Sequence, residues 1–246
     1  MSEWLFDLGN SRLKFAPLLD DGRVGEMAGI EHDGLAFAAD WEARLPPRIE
    51  AAHVASVASD ALRTRLLEAL AARSGRVDVA RTQSRRDGLE IAYADPSRLG
   101  VDRFLALLAA HARGGAWLVA GVGTALTVDL LDAAGRHVGG RIAPSPTLMR
   151  EALHGRARQL PVEGGRYLPF AGDTDDALAS GCLGAALGLL AHSRDAAAQR
   201  LGAPVPLLLH GGGAAALAPH LEDAVTEPAL VLHGLARWAR PGVGGP

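Results

Sequence analysis

The sequence predicts an α/β protein made of a duplicated unit, folded as two lobes, with residues 1–115 in an N-terminal lobe and 116–246 in a C-terminal one. Two observations carry this. The opening stretch "WLFDLGNSRLKFAPL" is repeated in outline by "WLVAGVGTALTVDLLDAAGRHVGG" at residues 117–140. In both, an apolar strand beginning Trp-Leu runs into a glycine turn and leaves on an alternating strand. Between the copies, strand-like and helix-like stretches alternate, the order expected of a mixed sheet with helices packed on its faces.

The elements follow in order. Gly9 and Asn10 tolerate the positive torsions of a tight hairpin, so "WLF" and "RLKFAPL" pair as its two limbs, the second ending near Pro17. "HVASVAS" reads as a buried strand. "DALRTRLLEALAARSG" reads as a helix capped by Asp60 and ended by Gly75, and "RVDVA" as a short strand. Asp102 stands where it can cap the apolar helix "RFLALLAAHAR". In the second copy Gly123, Thr124 and Ala125 align with Gly9, Asn10 and Ser11, which puts Gly121 opposite Asp7. "GDTDDAL" places Thr174 as the cap of a helix continuing through "ALASGCLGAALGLLAH". Gly181, Gly184 and Gly188 lie along one side of it and suggest close helix packing. "VPLLLHGGGAAALAPHL" is a short strand, three glycines and a helical stretch. "RPGVGGP" reads as a flexible tail.

At 48% hydrophobic over 246 residues the chain can bury a large core. Lys plus Arg number 25 against 28 Asp plus Glu, so it lacks the basic excess of an electrostatic nucleic-acid binder. Its single cysteine, Cys182, cannot form an internal disulfide, and no Cys/His spacing matches a zinc site. No signal-peptide pattern and no membrane-length apolar run is present, so the expected location is the cytoplasm, with neither nucleic acid nor membrane as partner.

The first turn has a chemical reading as well as a structural one. Backbone N–H groups of "DLGNS" can point at a phosphate, Ser11 and Lys14 can add donors, and Asp7 can hold a hydrated metal ion. An ordinary hairpin explains one such turn. Two copies form a pair able to grip a polyphosphate from both sides of a cleft, a way to bind ATP with neither "GxxxxGK[ST]" nor a Rossmann "GxGxxG" in the chain. Gly211, Gly212 and Gly213 allow a flat ring or a sugar to approach the backbone. By spacing alone Asp102 is a helix cap, Arg103 a solvated first-turn arginine and Thr174 a cap. Tyr93 is either a packed ring or a hydroxyl donor. His154, His210 and His233 read as surface or packing residues, and Arg85, Arg86, Arg156 and Arg158 as solvated charges.

The ordered set "DLGNSRLK", "GVDR", "GTALTVD", "GDTDDALASG" and "HGGGA" resembles the type III pantothenate kinases over nearly the whole chain. The resemblance implies the duplicated ribonuclease H-like fold of the actin and sugar-kinase superfamily. It further implies a homodimer, and transfer of the terminal phosphoryl of ATP, with Mg2+, to pantothenate at the first step of coenzyme A biosynthesis. It makes Asp7, Leu8, Gly9, Asn10, Ser11, Arg12, Leu13 and Lys14 the first phosphate motif, with Asp7 near the metal through water, and Thr124 the second phosphate contact. Tyr93, Gly100, Val101, Asp102 and Arg103 become the pantothenate segment, with Asp102 the proton acceptor, and Thr174 reaches the substrate from the partner subunit. Relatives place an aspartate at the position of Gly121 as a ligand for K+ or NH4+, so the monovalent-cation site is in doubt here. Two other readings stay open: a kinase of the same fold for another small hydroxy acid or sugar, and a nucleotide-binding regulator without catalysis.

Overall fold

Two five-stranded sheets with the same strand order organise the chain. The structure, a computed structural model, describes residues 2–240, so the tail expected at "RPGVGGP" lies outside them apart from Arg240. The first half contains β1 (Glu3–Leu8), β2 (Arg12–Leu18), β3 (Ala28–Glu31), β4 (Ile49–Ser56), α1 (Asp60–Ala71) and β5 (Ser74–Val79). The two-residue strands β6 (Arg85–Arg86) and β7 (Leu89–Glu90) and helix α2 (Val101–Ala112) follow. Then come β8 (Trp117–Val122), β9 (Ala125–Leu131), β10 (His137–Pro144), α3 (Pro146–Arg156) and α4 (Thr174–Leu201). The last elements are β11 (Leu207–His210), α5 (Ala214–Leu217), β12 (Val225–Thr226) and α6 (Leu230–Ala239).

The first sheet runs β3-β2-β1-β4-β5 and the second β10-β9-β8-β11-β12. In each, a hairpin supplies an antiparallel pair, β1 with β2 and β8 with β9, and the central strand pairs in parallel with β4 or β11 on its other side. The hairpin turns differ by one residue. Leu8 pairs with Leu13 and the Gly9 N–H reaches the Arg12 carbonyl, whereas Val122 pairs with Leu126 and the Gly123 N–H reaches Ala125.

Strand alternation sorts the side chains. Phe6, Leu8, Phe15 and Val54 pack with Leu62 and Leu66 of α1, and Leu118, Ala120, Val122 and Leu209 pack with Ala186 and Leu190 of α4. The opposite face of the first sheet receives α6 along β1 and β4, and α2 packs against α6.

The chain divides into two compact units. The first comprises everything up to Gly115, the short stretch Ala133–His137 and the chain from Ala229 onward; the second is Ala116–Asp132 with Val138–Pro228. The switch after Gly115 coincides with the expected lobe boundary. The expectation that 116–246 forms one lobe is corrected, because α6 packs on α2 and β1 and so belongs to the first unit.

Other expectations change at element ends. Ser59, not Asp60, is the N-cap of α1, and Gly75 lies inside β5, where a Cβ would come 3.2 Å from the Glu50 carbonyl. Within the chain Gly181 and Gly188 have open space beside them, and Gly184 has Tyr167 at 3.8 Å. Arg86 is no solvated charge: it donates to the Trp238 carbonyl at 2.5 Å and lies under that ring.

Candidate active site

The first unit gathers two carboxylates. Asp7, the penultimate residue of β1, is only 9% exposed and pairs across the hairpin with Lys14. Burial, and then the negative charge of Asp102, push its pKa up to about 7, with Lys14 opposing. A cationic partner would relieve this pair. That fits magnesium carried in on a nucleotide, with Asp7 acting through water, and no group of three ligating side chains able to hold a metal exists among the described residues.

Asp102 is not the helix cap that its spacing suggests. Gly100 is the N-cap of α2, and Asp102 sits one residue inside the first turn, where its Oδ1 accepts the Arg103 N–H at 2.8 Å. That bond fixes the direction of the carboxylate. The fold of the side chain also explains Gly100, since a Cβ there would meet Asp102 Oδ1 at 2.5 Å.

Arg103 is 6% exposed, which corrects the expectation of a solvated arginine. Its Nη1 donates to the Tyr93 hydroxyl at 3.3 Å, so Tyr93 is both a hydrogen-bond partner and a packed ring, stacked on His137 with centroids 6.0 Å apart. A buried guanidinium beside a phenol is a fit partner for a carboxylate-bearing substrate. His137 is the first residue of β10 and the last of the stretch Ala133–His137 that joins the first unit, and no local sequence signal marks it.

Within the first motif, Leu8 and Leu13 bury their side chains in the core, leaving only backbone at the turn. Arg12 pairs with Glu31 on β3, and Asn10 and Ser11 are exposed. His32, unnoticed in the sequence, reaches the Gly9 carbonyl through Nε2 at 3.1 Å.

In the second unit Thr124 is exposed at the hairpin turn. Gly121 is buried two residues before the turn glycine, and a Cβ there would lie 2.8 Å from His210 Nε2 and 2.9 Å from Thr127 Oγ1. A ring nitrogen and a hydroxyl border the space that a side chain at 121 would take, and neither is a carboxylate. Thr174 is exposed at the first turn of α4, but the cap is Asp173, which accepts the Asp176 N–H at 2.9 Å. Its hydroxyl therefore has no capping duty and borders an open depression of about 530 Å³ with Leu160, Gly172 and Leu178. The first unit holds Asp7, Lys14, Tyr93, Asp102 and Arg103; Thr124 and Thr174 stand in the second.

Comparison with known proteins names the class. The fold is shared with an archaeal actin homologue and with chains described as sugar kinases. Similar structures include an archaeal actin homologue, Ta0583, at TM-score 0.52 and 10% identity, covering 97% of this chain and 99% of that one. Another is a Campylobacter jejuni chain whose name assigns it to the Baf family of transcriptional activators, at TM-score 0.64 and 20% identity, covering 97% and 98%. The model of the type III pantothenate kinases matches residues 4–195. A type III pantothenate kinase of Xanthomonas campestris pv. campestris (strain B100) is 58% identical over 240 residues, 97% of this chain and 98% of that protein. The chain belongs to the type III pantothenate kinase family, enzymes that phosphorylate pantothenate in coenzyme A biosynthesis.

Proposed function

We propose that this chain transfers the terminal phosphoryl group of ATP to the primary hydroxyl of pantothenate, with Asp102 accepting the hydroxyl proton. The observation that carries the residue roles is the carboxylate pair of the first unit: Asp102 held in one direction by the Arg103 N–H, and Asp7 buried close enough to feel its charge. Phosphoryl transfer asks little covalent work of a protein and much positioning and charge compensation. Lys14 and the hairpin residues Asn10, Ser11 and Thr124 hold the phosphates, and Arg103 with Tyr93 holds the pantothenate carboxylate. Magnesium, bound to the nucleotide and watched by Asp7 through water, supplies neutralisation of phosphate charge.

The working molecule in this reading is a cytoplasmic homodimer in which Thr174 reaches the partner's substrate. Exposed apolar residues of the second unit support a covered surface there: Phe170 is 98% exposed and Ile142 65%. The free thiol of Cys182 supports a reducing compartment.

The test is release of ADP from purified protein with ATP, magnesium and a panel of small hydroxy acids and sugars. Turnover with pantothenate well above every other acceptor is expected. Turnover with another acceptor alone would make this a different kinase, and none with any acceptor would favour a binding regulator.

A further inference from the structure

The two sheets repeat one another rung for rung, and the repetition singles out a residue that the reading above leaves unused. Asp7 on β1 lies beside Lys14 on β2 and Ala55 on β4. The same three places in the second sheet hold Gly121 on β8, Thr127 on β9 and His210 on β11. Between the two central pairs the large and small side chains are exchanged: an acid beside an alanine in one unit, a glycine beside an imidazole in the other. These residues turn away from the cores packed with α1 and α4, because their strand neighbours Phe6, Leu8, Ala120 and Val122 belong to those cores.

The imidazole is closely seated. Its Nε2 stands 2.8 Å from where a Cβ of Gly121 would be, so the ring lies against bare backbone three residues before Thr124. Immediately after His210, Gly211 takes φ +94° and presses on β8, where a Cβ would meet the Val122 carbonyl oxygen. Only glycine fits there, and the contact fixes the end of β11 against the second hairpin.

We propose that His210 is a nucleotide-binding residue: seated on Gly121 beside Thr127, its imidazole donates a hydrogen bond to the polyphosphate of the bound nucleoside triphosphate. The assignment rests on the kinase reading. A phosphate chain offers acceptor oxygens and negative charge, which a carboxylate at 121 repels and an N–H-bearing ring attracts. On this assignment the second unit presents an imidazole and a hydroxyl to the phosphates.

Calorimetry with a non-hydrolysable ATP analogue plus magnesium, and separately with pantothenate, tests this on the wild type, His210→Ala, His210→Gln, Gly121→Ala and the Gly121→Ala/His210→Ala double variant. Loss of His210 should weaken analogue binding about tenfold to a hundredfold while pantothenate affinity stays within about twofold. His210→Gln, which keeps a donor, should recover most of the loss. Gly121→Ala, whose methyl displaces the ring, should reproduce it and add little once His210 is gone. Wild-type analogue affinity in both single variants, or fully additive losses in the double, overturns the proposal. If His210→Ala does not fold, Gly121→Ala and His210→Gln decide alone. The readout is binding, so a wild-type protein that holds the analogue but never phosphorylates pantothenate sinks the kinase reading while these affinities still judge His210.

Discussion

His32 braces Gly9: its Nε2 lies 3.1 Å from the Gly9 carbonyl, while its Nδ1 accepts the Gly34 N–H at 3.1 Å. The two bonds define one neutral tautomer with the proton on Nε2. The His32 backbone N–H also donates to Ser11, so two residues of the first phosphate turn hang from this one position. Burial holds the His32 pKa below its ordinary 6.5, against the pull of the Gly9 bond. A depressed histidine contributes stability that is complete above about pH 6.5 and lost as pH falls. His32→Ala should raise the KM for ATP several-fold at pH 7.5. Its deficit in melting temperature against the wild type should shrink toward pH 5.5. Parallel pH profiles for the two proteins would remove the brace from the account.

Asp102→Asn should lower turnover by roughly a hundredfold to ten-thousandfold, the range of a positioned acid–base group. Asparagine keeps an oxygen to accept the Arg103 N–H, so the melting temperature should stay within about 4 °C. Full activity in the folded variant would show that this carboxylate serves α2 rather than the reaction.

Asp7 titrates the other way from most carboxylates. Its pKa of about 7, against an ordinary 3.8, means that its contribution to stability is complete below about pH 4 and lost as pH rises to 7. Asp7→Asn should therefore melt progressively higher than the ligand-free wild type between pH 5 and pH 8, and bind ATP with magnesium more weakly. A melting difference that is flat with pH would contradict the buried carboxylate pair.

Gly121 leaves no anionic ligand for a monovalent cation, and His210 with Thr127 occupies the space. Activity in a sodium or Tris buffer should be a substantial fraction of that with potassium. Gly121→Asp should make the enzyme more dependent on potassium or ammonium, and because the new side chain must displace His210 it should also cost stability. A wild-type rate that falls to background without potassium and ammonium would point to other ligands, such as Asp129 on the same strand face as Thr127.

Gly234 of α6 crosses α2 so closely that a Cβ would fall 1.9 Å from the Leu105 carbonyl oxygen. No rotamer change relieves a clash with backbone. Gly234→Ala should exceed the usual overpacking cost of about 1–3 kcal/mol and lower the melting temperature by about 5 °C or more. A melting temperature equal to wild type would mean that the two helices pack differently in solution.

What the sequence discloses depends on how local the cause is. Both hairpins were legible because turn glycines and strand alternation act within a few residues, and "GVDR" marked Asp102 and Arg103. The cap of α2 was misassigned by two residues, since Gly100 and Asp102 are both acceptable cap residues and only the fold chooses. Helix α3 went unseen although Ser145 followed by Pro146 is a helix-start signal. His32, His137 and His210 matter through residues far away in sequence, for which a single chain offers no pattern. The return of α6 to the first unit was hidden for the same reason, with Gly234 the only local hint.

That return sets an order of events during synthesis. Everything needed for the second unit, up to Pro228, leaves the ribosome before α6 does. Until then β1 and β4 lack the helix that packs along them, and Leu105 of α2 lacks the surface that closes over it. The half of the molecule that is translated first is therefore completed last, as a nascent chain whose earliest sheet waits for its latest helix. Translation halted just after Pro228 would leave one finished half beside an open one, with apolar surface offered to chaperones or to other unfinished copies.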